Sequence, residues 1–147
     1  MEDDSIVAKD YFLFYESLFT QFILLDDNIF AGSANSVSDT DTQNTYCVQK
    51  VNWVNSTEFA ITKKSWNEFG ALRGEICGDV KFGKAVKNSN KYTIMPRVRR
   101  MSKIGQGHAD SFSVLQKATK LSSEENHIYL PTDTIKIDKN NYTLIMS

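Results

Sequence analysis

DVKFGKAVKNSNKYTIMPRVRRMSK, residues 79–103, is the stretch whose reading decides the fold. Between Asp79 and Asp110 there is no acidic residue, whereas Lys81, Lys84, Lys87, Lys91, Arg97, Arg99, Arg100 and Lys103 are all basic. Ordinary protein surface interleaves both signs, so an acid-free basic run raises the question of an anionic partner. Val80, Phe82, Lys84 and Val86 alternate, as do Tyr92, Ile94, Pro96 and Val98, and the intervening Lys87-Asn88-Ser89-Asn90-Lys91 is rich in turn formers. The pattern predicts a β-hairpin. Pro96 lacks a donor and places the second strand at an edge or at a bulge.

In that register Lys87 faces Lys91, Ala85 faces Thr93, Gly83 faces Met95 and Lys81 faces Arg97, with Arg99 on the same side. Val80, Phe82, Val86, Tyr92, Ile94 and Val98 then point to the core. Like charges directly opposite one another destabilise a sheet, and an anionic ligand relieves them. The expected site is a track of phosphate contacts along Lys81, Lys87, Lys91, Arg97 and Arg99, extended by Arg100 and Lys103. The competing reading is a solvated face, with lysines guarding an edge or the acidic N-terminal segment lying across it. Stacking aromatics would sharpen the case. Phe82 and Tyr92 point inward in this register, and Tyr46 and Trp53 serve only if their sheet face is open; a core role is favoured for each.

Upstream, Val7, Tyr11, Phe14, Tyr15, Leu18, Phe22 and Leu25 recur in steps of three and four from about Ser5, a helix period, and Asp26-Asp27-Asn28 is the expected stop. Asp4 and Asp10 lie near its start, where the helix dipole favours acids. Phe12, Phe19 and Ile23 widen the apolar stripe and are candidate partner contacts. Residues 31–44 read as a long polar loop and residues 1–4 as a frayed end. Thr45–Val54 and Glu58–Thr62 read as strands. Ser65-Trp66-Asn67-Glu68 has capping-box form and opens a helix with Trp66, Phe69, Leu72 and Ile76 at helical spacing, closing at Gly78. The alternative is one long strand over Gly74–Val86.

Downstream, Asp110 or Ser111 caps a third helix with Phe112, Leu115, Ala118 and Leu121 inward. Strands follow at His127–Leu130, Thr132–Asp138 and Tyr142–Ser147, with a turn at Asp138-Lys139-Asn140-Asn141. Gly105-Gln106-Gly107 carries neither a Walker lysine–serine pair nor the dinucleotide fingerprint. His108 and His127 belong to no metal-spaced set, and Cys47 and Cys77 form no Cys-x-x-Cys pair.

The whole chain has 147 residues and a net charge of −1, which hides an asymmetry. Residues 1–45 hold nine acids against Lys9 alone, whereas residues 46–120 hold fourteen Lys and Arg against five acids. Hydrophobic content of 41% argues for a folded core. Two cysteines make no disulfide framework, and the Met-Glu-Asp-Asp start is the opposite of a basic signal sequence, so an intracellular location, cytoplasmic or nuclear, is expected.

The expected fold is one α+β domain over 1–147: a long N-terminal helix packed on a mostly antiparallel sheet built from hairpins, with two shorter helices. The sheet is expected either curved with helices on one side or partly closed into a barrel. The expected function is a non-enzymatic binding or accessory protein that contacts nucleic acid or another polyanionic partner through the basic hairpin. No catalytic residue, cofactor, metal or membrane contact is expected. The alternative is a protein–protein adaptor or inhibitor acting through the N-terminal helix or the acidic N-terminal half.

Overall fold

A computed structural model of the chain describes residues 5–36, 45–54, 58–74, 78–103 and 136–147. It is a mixed α+β fold. The elements run β1 (Ser5–Val7), α1 (Tyr11–Leu18) with a π turn (Phe19–Ile23), β2 (Ile29–Gly32), β3 (Cys47–Val51), β4 (Ala60–Ile61), α2 (Lys63–Phe69) with a 3-10 turn (Gly70–Gly74), α3 (Gly78–Asn88), β5 (Tyr92–Pro96), β6 (Met101–Lys103) and β7 (Ile145–Met146).

The hairpin predicted for residues 80–98 is not formed. Its first half is the helix α3, and only its second half is a strand. Phe82 and Val86 are both fully buried, and their spacing of four suits a helix as well as a strand. The lysines decide between the two. Lys81, Lys84 and Lys87 are all exposed, and a strand would turn Lys84 to the opposite face from the other two. The turn formers read as a hairpin loop end the helix instead. Asn90 adopts φ 59°, and Ser89 Oγ donates to Val86 O at 2.7 Å.

β5 lies inside a five-stranded sheet of order β4-β2-β5-β3-β7, flanked by β2 in parallel and β3 antiparallel. The outer pairs are β2–β4, antiparallel, and β3–β7, parallel. A separate ribbon pairs β1 with β6. The sheet is therefore mixed rather than mostly antiparallel. Among the described residues no two strands consecutive in the chain pair with each other, so it is not built from hairpins. Pro96 sits in this interior strand without cost. Arg97 N–H donates to Cys47 O at 2.9 Å, so the bonds to β3 leave from Met95 and Arg97. Proline's missing donor faces the side on which β2 has already ended.

The N-terminal helix is shorter than the periodicity predicts. Residues 5–7 are taken by pairing with β6, and Ala8 N–H donates to Arg100 O at 2.9 Å. Asp10 occupies the N-cap of α1. At its far end the helix widens into a π turn, with Leu24 N–H donating to Phe19 O. There Gln21 acts as a strand mimic: its amide donates to Tyr142 O at 3.1 Å and its carbonyl accepts from Leu144 N–H at 2.9 Å. The stop falls where expected, with Asp26 Oδ1 accepting from Asn28 N–H.

Adjacent residues of β2 point to opposite faces of the sheet, and a separate core lies on each. Ile29 joins Phe14, Leu18, Ile23, Val48, Ile94 and Leu144 under α1. Phe30 joins Phe59, Phe69, Phe82 and Val86 under α2 and α3, with ring centroids 5.3 Å from Phe82 and 5.5 Å from Phe69. Helices thus cover both faces, against the expectation of one side or a barrel. The start of the predicted 31–44 loop is also corrected. Ala31 and Gly32 belong to β2, and Ala31, Ser33 and Ala34 are fully buried. A Cβ on Gly32 would lie 2.3 Å from Leu18 Cδ2 and 2.9 Å from Ile23 Cδ1, so small residues here let α1 and its π turn sit close on the strand. The helix expected after Asp110, the strand at 127–130, the first four residues of the strand expected at Thr132–Asp138, and residues 1–4 and 37–44 lie outside the described residues; residues 136–138 are not strand, and of the strand expected at Tyr142–Ser147 only Ile145–Met146 forms.

Candidate functional site

The predicted basic track is divided by the fold. On α3, with Phe82 and Val86 directed into the core, Lys81, Lys84 and Lys87 recur every third residue on the solvent side. That outer face also carries Val80, 56% exposed. Lys91 follows the helix; its Nζ donates to Glu68 Oε2 at 2.7 Å and lies 5.9 Å from the Phe69 ring centre. β5 then intervenes, and five residues of strand span roughly 17 Å. Arg97, Arg99 and Lys103 fall beyond its far end. Arg97 is half-buried, with Nε donating to Ser147 Oγ at 3.2 Å, and Arg99 is half-buried. Lys103 pairs in register with Ser5. Lys81, Lys87, Lys91, Arg97 and Arg99, expected along one hairpin face, are therefore split between α3, the turn after it and the far end of β5.

Arg100 leaves the surface altogether. It is fully buried, and Nε donates to Asp10 Oδ2 at 3.3 Å. Its other nitrogens donate to Val98 O at 2.6 Å and to Thr45 O. Its guanidinium lies 4.7 Å from the Phe14 ring centre. Tyr142 O–H donates to the same Asp10 oxygen at 2.6 Å. Burial, offset in part by Arg100, holds the Tyr142 hydroxyl above its ordinary range. One ion pair thus joins the start of α1, the β5–β6 connection and the C-terminal segment.

A second buried acid, Glu58, is enclosed by donors. It accepts from Tyr11 O–H at 3.2 Å, from Tyr15 O–H, from Ser33 Oγ at 2.8 Å and from Ala34 N–H at 2.9 Å. Burial first, then the Glu58 charge, pushes Tyr11 up to about 12 and raises Tyr15 as well. With four donors spent on it, this carboxylate anchors β4's approach to β2.

The partner residues proposed from sequence also separate. Phe12 is 75% exposed, Phe19 is half-buried and Ile23 is in the core. The π turn instead presents Leu24 and Leu25, 65% and 74% exposed. Leu25 borders an open depression of about 230 Å³ lined by Gln21, Phe22, Asp26, Ile29, Lys50, Tyr92 and Met146. At its polar wall Tyr92 O–H donates to Asp26, and Lys50 Nζ lies 4.2 Å from the Tyr92 ring centre. The Tyr92 hydrogen bond lowers Asp26, and contact with Tyr92 raises Lys50. Ligand pockets generally run from about 300 Å³ upward, so this depression is small for a small-molecule site.

Of the stacking candidates, Tyr46 meets Tyr142 edge-on at 5.1 Å, and Trp53 is 40% exposed past the end of β3. The sequence missed Trp66. The capping-box reading started α2 at Ser65, but Thr62 is the N-cap, its hydroxyl accepting from Ser65 N–H at 3.1 Å. That start places Ser65, Phe69 and Leu72 inward and leaves Trp66 46% exposed. The spacing of Lys63 and Trp66, like that of Lys81, Lys84 and Lys87, is the signal that could have shown it. Cys47 is half-buried, and among the described residues no group of three His, Cys, Asp or Glu is placed to hold a metal ion. Also among the described residues, no helix is long and apolar enough to cross a membrane. His108, His127, Cys77 and the Gly105–Gly107 segment lie outside them. No protein-family model matches the chain, and no curated protein aligns with it.

Proposed function

We propose that this protein is a non-enzymatic binding protein that contacts nucleic acid through the outer face of α3. The observation that carries the reading is the ridge of Lys81, Lys84 and Lys87, exposed on one helix inside a run of sequence without acids. Three ammonium groups over two helical turns match the repeated charge of a phosphate backbone. Glu68 of α2 is engaged by Lys91 and Asp27 by Lys64, each at 2.7 Å.

The test is fluorescence anisotropy with labelled DNA and RNA at several salt concentrations. Three phosphate contacts predict a log–log salt slope of about −2 to −3. Charge reversal at Lys81, Lys84 and Lys87 together removes binding, while reversal at Arg97 changes it little. Absence of binding at low salt would refute the reading.

A second reading, a protein–protein adaptor, rests on exposed Leu24 and Leu25 beside the depression. Large exposed apolar residues in proximity mark interaction surfaces. It predicts a protein complex in sedimentation that Leu25→Glu dissolves and the lysine reversals leave intact.

A further inference from the structure

Trp66 has an unusual support. A Cβ built on Gly70 would lie 2.5 Å from both ring-fusion carbons, Cδ2 and Cε2, and 2.9 Å from Cε3. The fusion bond is interior to the indole, so a point equally close to both of its atoms lies over the ring face and not at its edge. The indole therefore lies flat on the backbone of Gly70, one turn along α2, and buries that glycine. Any larger residue at 70 would displace it. Among the described residues no second ring or cation lies on the opposite face, and the side chain is 46% exposed. Lys63 is exposed one turn earlier on the same side of the helix.

We infer that the open face of Trp66 is a stacking platform for an unpaired base, so that the nucleic acid bound by this helical face is single-stranded. The inference rests on the α3 reading above, and it names the ligand class. Bases inside a duplex are already stacked on both sides and cannot cover an indole, whereas a single strand presents its base faces. A platform held flat by Gly70 loses little freedom on binding. Charge favours the same occupant: Lys63 flanks the ring, α2 and α3 pack on one core, and α3 carries the lysine ridge.

The experiment uses the full chain with Trp53→Phe, so that tryptophan emission reports Trp66 alone. It is titrated with oligothymidylate, with a duplex of equal length, and with inorganic polyphosphate, which has charge but no bases. Saturable quenching by the single strand only, together with tighter single-strand than duplex binding, is expected. Trp66→Ala lowers single-strand affinity by roughly 5- to 100-fold and leaves polyphosphate affinity unchanged. Gly70→Ala provides a second route. Its backbone, φ −60° and ψ −32°, accepts alanine, so the helix stays intact while the ring is pushed off its seat and single-strand affinity falls. If the oligonucleotide binds with no quenching and Trp66→Ala binds as tightly, the platform is refuted and the lysine ridge stands. Equal losses for polyphosphate and oligonucleotide in both variants would also overturn it, since Trp66 would then act only through the fold. If no polyanion binds at low salt, the ridge fails and the platform with it.

Discussion

Arg100 and Lys84 come from the same acid-free run, sixteen residues apart, and end in opposite surroundings. Arg100 is sealed under α1 against Asp10, with Tyr142 and two carbonyls completing its bonds. Lys84 stands on the outer face of α3 with Lys81 and Lys87. On the α1 side one acid of the N-terminal half, Asp10, and one base of the middle of the chain, Arg100, pair inside the protein. On the α3 side the lysines stand exposed on the outer face of the helix. Net charge along a sequence therefore does not say where charge is available for a partner; pairing in three dimensions removes part of it first.

The largest test of this contrast is Arg100→Ala. It leaves Asp10 buried without its cation and costs about 3–5 kcal/mol in urea denaturation. Combining Arg100→Met with Asp10→Asn costs less than the two single changes summed, because neither charge is then stranded.

A second test uses alkali. Unfolded tyrosines ionise near 10, but Tyr11 is held to about 12 by burial and Glu58, and Tyr15 and Tyr142 are shifted in the same direction. The unfolded chain therefore releases these protons first. The stabilisation is fully present below pH 10 and falls as pH rises toward about 12. Tyr11→Phe makes that fall shallower in urea unfolding measured from pH 9 to 11.5, and the lysine-ridge variants do not.

The same small substitution then has opposite signs in the two regions. Gly32→Ala drives a methyl into Leu18 and Ile23 and destabilises by about 1–3 kcal/mol. Gly83→Ala on α3 meets nothing within 4 Å and stabilises by up to about 1 kcal/mol through helix propensity. Thermal melts of both variants check the pair. The smallest effect on stability is expected at the ridge itself. Glutamate at Lys81, Lys84 or Lys87 changes unfolding free energy by no more than about 0.5 kcal/mol each, while it weakens polyanion binding.

Much of the fold was legible locally. β3 falls within Thr45–Val54 and β4 within Glu58–Thr62, and Asp26 and Asp138 each form the turns their types favour. The errors have a common cause. Short apolar patterns fit two periods: Phe82 and Val86 serve a helix or a strand, and Val7 serves the start of a helix or a strand paired with β6. The candidate site was half legible for the same reason. The lysines were visible, but their common face depended on which period applied. Trp66 was grouped with Phe69 and Leu72 by helical spacing, but only those two pack on the core.

The sequence by itself determined the turns that end α1 and α3 and which residues carry charge, since turn formation and side-chain chemistry act within a few residues. Tertiary structure alone decided that Gly78–Asn88 is a helix. Both edges of β5 pair with distant strands, β2 and β3, and leave no edge for residues 80–86 to join. With β5 closed to them, their backbone groups are satisfied within the segment itself, as a helix, and the lysines it carries turn to the same side.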